Sequence, residues 1–250
     1  MVGGEQEHPK IDFIFLEKFI FIKMDNYKDA MQYIETQEAT EISYVKIGDN
    51  NKKLVVSFAS NAHTGFEQKK SLMQLKYQRN DFDVLYFRNK DKWYLGGLNG
   101  IGKNINHTIA FLKKEFSKYD KVLCNGFSAG GYASLLFGSL LKVNKVITIN
   151  AQTDLEYVNN KLNIFAERAN ECPITWNKYN KIVNVLNDVV SYNVYYEEDD
   201  HWQTHHKRFE FMNLVLHGNY HYNEINHFPT VSKFNSEEEV IPLIEEFLEE

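Results

Sequence analysis

Lys121-Val122-Leu123-Cys124-Asn125-Gly126-Phe127-Ser128-Ala129-Gly130-Gly131 runs from an apolar, strand-like stretch into Gly-x-Ser-x-Gly, and Tyr132-Ala133-Ser134-Leu135-Leu136-Phe137 then starts a helix. A serine on so sharp a strand-to-helix turn needs small residues two before and two after it, because a Cβ there would clash where the backbone doubles back. Gly126 and Gly130 meet that need. The spacing predicts that the Ser128 hydroxyl stands exposed at the turn. The Ala129 amide and the amino end of the helix would aim at the same point, giving one half of an oxyanion hole. As bare letters the pattern also occurs in ordinary Gly-rich turns; the strand before it and the helix after it make it a nucleophile elbow.

Outward from this turn, strand-length apolar runs alternate with segments of helical period. Strands are predicted at 42–47, 54–59, 84–87, 121–125, 145–150, 192–197 and 213–217, and helices at 67–79, 105–119, 130–141, 203–211 and 236–249. This order predicts an α/β fold with a mostly parallel central sheet and helices on both faces, since parallel crossovers take a dozen or so residues. The first strands are free to pair antiparallel. Residues 155–190 break the rhythm with helical spacing interrupted by Pro173, and are expected to form a small helical cap inserted in a single domain spanning 1–250. Residues 11–24 are too short and too charged to span a membrane, and Glu17 and Lys18 split the apolar run that a signal peptide would keep whole. Two strands joined by a tight turn are expected there.

The 250 residues carry 28 Lys plus Arg against 34 Asp plus Glu, with 43% hydrophobic and 25% charged residues. That composition excludes a disordered, collagen-like or disulfide-stapled chain. A net charge of -6 gives no overall positive field to draw in a phosphate backbone, so nucleic acid is not the expected partner. Cys124 and Cys172 form no C-x-x-C pair and fit a reducing, cytoplasmic setting.

On the elbow, the chain from about Leu54 to its C-terminus resembles the α/β-hydrolase superfamily. The resemblance implies a serine nucleophile followed in chain order by an acid after a later strand and a histidine after the last one. For the acid, Glu197-Glu198-Asp199-Asp200 follows the strand at 192–197, and Asp200 is preferred over Asp199. For the base, His227 lies one short loop before the terminal helix and is preferred over His221. His217 belongs to the strand itself. The second oxyanion donor is expected right after the strand at 54–59, at Ala59 or Ser60, with Ser60 taken together with Ala129. The implied chemistry is acyl-ester hydrolysis through an acyl-enzyme on Ser128, with no cofactor and no metal.

Val146 to Asn150 followed by Ala151-Gln152-Thr153-Asp154-Leu155, together with Trp93-Tyr94-Leu95-Gly96-Gly97, is similar to a bacterial branch of these hydrolases associated with surface polysaccharides. That resemblance implies a carbohydrate-linked or small ester as substrate. It also admits O-acetyl transfer to a polysaccharide, with acetyl-CoA as co-substrate. Trp93, Tyr94, Trp176 and Trp202 are candidates for stacking on sugar faces, although packing is the commoner use of such rings.

Three rival readings compete. Gly97-Leu98-Asn99-Gly100-Ile101-Gly102-Lys103 nearly spells a phosphate-binding loop, but Asn104 stands where a magnesium-ligating hydroxyl belongs. His201, His205 and His206 suggest a zinc site only weakly, since no H-E-x-x-H glutamate accompanies them. A non-catalytic binding module on the same fold is the third.

Overall fold

In the computed structural model, which describes residues 26–48, 51–60, 65–89, 94–163, 166–197, 224–230 and 240–250, the apolar runs pair into one sheet. The strands are β1 Tyr44–Ile47, β2 Lys53–Phe58, β3 Phe82–Phe87, β4 Gly96–Leu98, β5 Gly102–Asn104, β6 Lys121–Phe127, β7 Lys145–Ile149, β8 Ser191–Glu197 and β9 Glu224–Thr230. The helices are α1 Tyr27–Glu38, α2 Lys69–Arg79, α3 Ile105–Phe116, α4 Ala129–Leu141, α5 Leu155–Leu162, α6 Ala166–Glu171, α7 Pro173–Tyr179 and α8 Val240–Glu249. Among the described residues seven strands form the sheet, in the order β1-β3-β2-β6-β7-β8-β9. Every pair in it is parallel except β1 with β3, which is antiparallel. The sheet is therefore mostly parallel, with an antiparallel strand at one edge, as the alternation of elements predicts.

Side chains alternate between the two faces of each strand, and the core divides accordingly. Leu54, Val56 and Phe58 of β2 point to the face covered by α3 and α4, whereas Val55 points to the face covered by α1, α2 and α8. Both faces are sealed, which is why the central strands read as unbroken apolar runs rather than alternating ones. β6 lies in the middle of the sheet, between β2 and β7, and delivers the chain to the amino end of α4.

Residues 155–190 contain α5, α6, α7 and a 3₁₀ turn at Ile182–Asn184. Leu155, Val158, Trp176, Tyr179 and Ile182 are buried in the same core as α4. The Tyr132 hydroxyl donates to the Tyr179 carbonyl at 2.8 Å, tying this segment to α4. Pro173 does not interrupt a helix; it starts α7, where its missing N–H has no intrahelical acceptor to lose.

Three further differences from the sequence reading have physical causes. Helix α1 has only Ala30, Met31 and Ile34 buried, too narrow a stripe to stand out in the sequence. Its start is fixed by the Asn26 side chain, which accepts from the Asp29 amide at 3.0 Å. The Gly-rich stretch around Gly97 is an antiparallel hairpin of β4 and β5, not a phosphate loop. A Cβ on Gly97 would lie 1.9 Å from the Gly102 carbonyl oxygen, and Asn104 caps α3 by accepting from the His107 amide at 3.2 Å. Finally, the last described strand is β9 at Glu224–Thr230. The stretches predicted at 11–24, 203–211 and 213–217 lie outside the described residues.

Candidate active site

The elbow forms as the glycine spacing requires. Ser128 follows β6 directly and has φ 49° and ψ -113°, a conformation that costs a residue with a Cβ on the order of 1 to 3 kcal/mol. A Cβ on Gly126 would lie 2.5 Å from the Gly130 carbonyl carbon, and one on Gly130 would lie 1.9 Å from the Phe58 carbonyl oxygen. The end of β2 is thus pressed against the first turn of α4. The Ser128 amide donates to the Ile149 carbonyl at 2.9 Å, and its carbonyl accepts from the Tyr132 amide at 3.0 Å. Ser128 is half-buried with its side chain at the carboxyl end of the sheet, where ligands collect in open α/β folds.

Ala129 is the first residue of α4, so its amide is among those without an intrahelical acceptor, and the helix dipole adds partial positive charge there. On the β2 side, the Ala59 amide is committed to the Phe87 carbonyl at 2.9 Å. The Ser60 amide donates to Glu67 Oε2 at 2.7 Å, and the Ser60 hydroxyl to Glu67 Oε1 at 3.1 Å. A carboxylate therefore sits on the amide that the family resemblance assigns to the oxyanion. The buried Tyr94 hydroxyl donates to the Ala59 carbonyl at 2.8 Å and anchors this turn from below. Burial first, and the charge of Glu67 second, hold that phenol well above its ordinary pKa, so it stays protonated.

One contact was not assigned a role from the sequence. Gln152, just past β7 and almost fully buried, places Nε2 3.0 Å and Oε1 3.3 Å from Ser128 Oγ. Its sequence cues are its position, three residues beyond the strand next to the elbow strand, and its place in the 151–155 segment that carries the resemblance to the polysaccharide-associated branch.

Of the remaining predicted residues, His227, Tyr94 and Trp176 are among the described ones. Asp200, Asp199, His221, Trp93, Trp202, His63 and the histidines at 201, 205 and 206 lie outside the described residues. β8 ends at Glu197, so the acidic run begins at the carboxyl end of the sheet, two strands from β6. His227 was expected on a loop after the last strand; instead it is the fourth residue of β9, opposite Val194. Three strand spacings of about 4.8 Å put β9 about 14 Å from β6, so the backbone of His227 is not brought against Ser128. The last strand was expected at 213–217, and among the described residues β9 is an edge strand, where Pro229 is tolerated. Tyr94 and Trp176 are buried in the core and offer no face to a sugar. Burial pushes the Cys124 thiol up, leaving it inert. Among the described residues no cluster of His, Cys, Asp and Glu could hold a metal, and no helix is long and apolar enough to cross a membrane.

No protein-family model matches the chain, and no curated protein matches it by sequence. Solved structures do match. A chain of the glycosylation-associated protein complex from Streptococcus agalactiae superposes with a TM-score of 0.58 at 14% identity, covering 82% of this chain and 44% of that one. The present chain thus spans less than half the length of that relative. Fluorophosphonate-binding serine hydrolase F from Staphylococcus aureus gives 0.56 at 11% identity over 84% of this chain and 99% of that one. The S-formylglutathione hydrolase of the same organism gives 0.54 at 12% over 81% and 85%. With its elbow at the carboxyl end of a mostly parallel, doubly covered sheet, the chain has the α/β-hydrolase fold.

Proposed function

We propose that the protein is a serine-dependent acyl-ester hydrolase in which Ser128 is the nucleophile. The observation that carries this reading is the backbone of Ser128 itself: a strained residue is held in place by two glycines that no larger residue could replace. Strain maintained by its surroundings at the carboxyl end of such a sheet is characteristic of a working site. In the proposed reaction Ser128 Oγ attacks the ester carbonyl and gives its proton to a base. The tetrahedral oxyanion is held by the Ala129 amide and by the Ser60 amide once Glu67 releases it. Collapse expels the alcohol, which takes the proton back from the base, and water then hydrolyses the acyl-enzyme.

His227 is proposed as the base and Asp200 as the acid that orients it. His227 lies in β9, which runs parallel to β8 toward the end of the sheet that holds Ser128, so the reading requires the imidazole to come closer to the elbow than its backbone lies. The segment at 155–190 is proposed as the cap that selects substrate. A second reading is O-acetyl transfer from acetyl-CoA to a carbohydrate hydroxyl through the same acyl-enzyme. The likeness to a chain of a glycosylation-associated complex favours it.

The test is labelling by a fluorophosphonate together with hydrolysis of p-nitrophenyl acetate. Ser128→Ala is expected to abolish both while leaving thermal unfolding unchanged; undiminished turnover removes the nucleophile assignment. His227→Ala is expected to lower turnover by at least about 10²-fold, the lower end of what general-base catalysis contributes. Unchanged turnover in that variant moves the base elsewhere. Supplying acetyl-CoA and a sugar acceptor separates transfer, which acylates the sugar, from hydrolysis, which yields acetate.

A further inference from the structure

The contact between Gln152 and Ser128 is built from both sides. Asn150, just past β7, adopts a left-handed φ of 49° and its amide donates to the Tyr195 carbonyl at 2.8 Å. Ala151 packs on the first turn of α4, where a Cβ on Gly131 would come within 2.9 Å of the Ala151 Cβ. The Thr153 carbonyl accepts from the Ile182 amide at 3.0 Å, and Asp154 caps α5 by accepting from the Tyr157 amide at 2.8 Å. Residues 150–154 are thus fastened at four points, and Gln152 projects from the middle of them. Only about 5% of its surface is exposed, so a polar side chain with a large desolvation cost has been placed at the nucleophile.

A primary amide cannot accept the serine proton at any pH the fold survives, so Gln152 is not a base. It offers Ser128 two alternatives. Both amide atoms face Oγ at once; when the Oγ–H turns to Oε1, 3.3 Å away, the proton is tied up. When the Oγ–H turns away from Oε1, the Nε2–H still donates to Oγ at 3.0 Å and the hydroxyl proton remains free for a base. In the second arrangement the same N–H keeps donating as negative charge builds on Oγ.

We propose that Gln152 is a positioning residue for Ser128, its Nε2–H donating to Oγ so that the lone pair used for attack and the proton to be lost are both oriented. The assignment rests on the serine-nucleophile reading and deepens it. No bond is made or broken by Gln152; the proton passes from Oγ to the base, and the amide is unchanged over the cycle.

The experiment is the second-order rate of fluorophosphonate labelling from pH 5 to 10, with thermal unfolding recorded for each protein. Gln152→Met keeps the volume and removes both hydrogen bonds. It should label Ser128 about 3- to 10-fold more slowly, the effect of one ordinary hydrogen bond. Gln152→Glu keeps the shape but puts an acceptor-only carboxylate against Oγ. Its labelling should fall further below wild type as pH rises through the ionisation of that carboxylate, a change that a merely structural role would not produce. If the methionine variant does not fold, the pH profile of the glutamate isostere decides alone. Wild-type rate and profile in the folded variants overturn the assignment while leaving Ser128 as nucleophile. Failure of the wild-type protein to label at Ser128 overturns both.

Discussion

The two ends of the sheet are built on opposite principles. At the amino ends of the strands, charges are buried and matched. Asp83, fully buried at the start of β3, accepts from Asn51 Nδ2 at 2.7 Å and from the Tyr119 hydroxyl at 2.9 Å, with Lys76 Nζ at 3.9 Å. Lys46 and Glu115 pair at 3.2 Å with both side chains nearly inaccessible, and Lys145 at the start of β7 reaches Glu250 at 3.2 Å. Burial pushes the Lys76 ammonium down despite the pull of Asp83 and Asp81, so desolvation outweighs attraction there. At the carboxyl ends, Ser128 Oγ faces a neutral amide, the Glu67 carboxylate is taken up by the Ser60 amide and hydroxyl, and the backbone is strained at Ser128 and Asn150. The amino end ties buried charges to one another, while the carboxyl end commits its backbone amides and leaves the Ser128 hydroxyl beside an uncharged partner.

This contrast can be broken from either side. Asp83→Ala should have the largest effect, about 3 to 5 kcal/mol, because it leaves a buried lysine without its carboxylate. Urea unfolding measures it, and a loss below about 1 kcal/mol would mean the amino-end charges are decorative. Gly130→Ala comes next. Alanine ordinarily stabilises a helix interior by about 1 kcal/mol over glycine, but a Cβ 1.9 Å from the Phe58 carbonyl oxygen should reverse the sign. A net loss of about 3 kcal/mol is expected, on the scale of overpacking. The smallest effect is confined to alkaline pH. Burial first, and Glu246 second, push the Tyr195 phenol up to about 12, whereas an unfolded tyrosine titrates near 10. The folded state therefore binds the proton more tightly. The associated stability is complete below about pH 10 and is lost as pH rises toward about 12. Tyr195→Phe should flatten the fall of the urea midpoint between pH 9 and 11.5, leaving the midpoint at pH 7 little changed.

The fold was legible wherever a local necessity wrote itself into residue types. Runs such as Leu54-Val55-Val56 and Val146-Ile147-Thr148-Ile149 announce doubly covered strands, and Gly126 and Gly130 announce the elbow because nothing else fits. The β4–β5 hairpin went unread because Gly96, Gly97 and Gly102 carry no strand preference; its pairing is a matter of backbone approach. His227 was expected on a loop because the last strand was read at 213–217, whereas it lies within β9 at 224–230, a run with neither a β-branched stretch nor clean alternation. Gln152 lies in the segment 151–155 that carries a resemblance, yet its contact with Ser128 went unread, because that contact depends on a register between β6 and β7 that aligns Phe127 with Ile149.

That register has a kinetic consequence. Where each strand ends, the next amide along the chain donates across to a neighbouring strand: Ala59 to Phe87, Ser128 to Ile149, Asn150 to Tyr195. The candidate site is stitched into the ladder by its own backbone rather than hung from it on loops. The Ser128 amide should then exchange with solvent deuterium as slowly as the core of β6, opening only when the whole domain opens. A site of this kind has no melting point of its own, and heat would silence it and unfold the protein in one step.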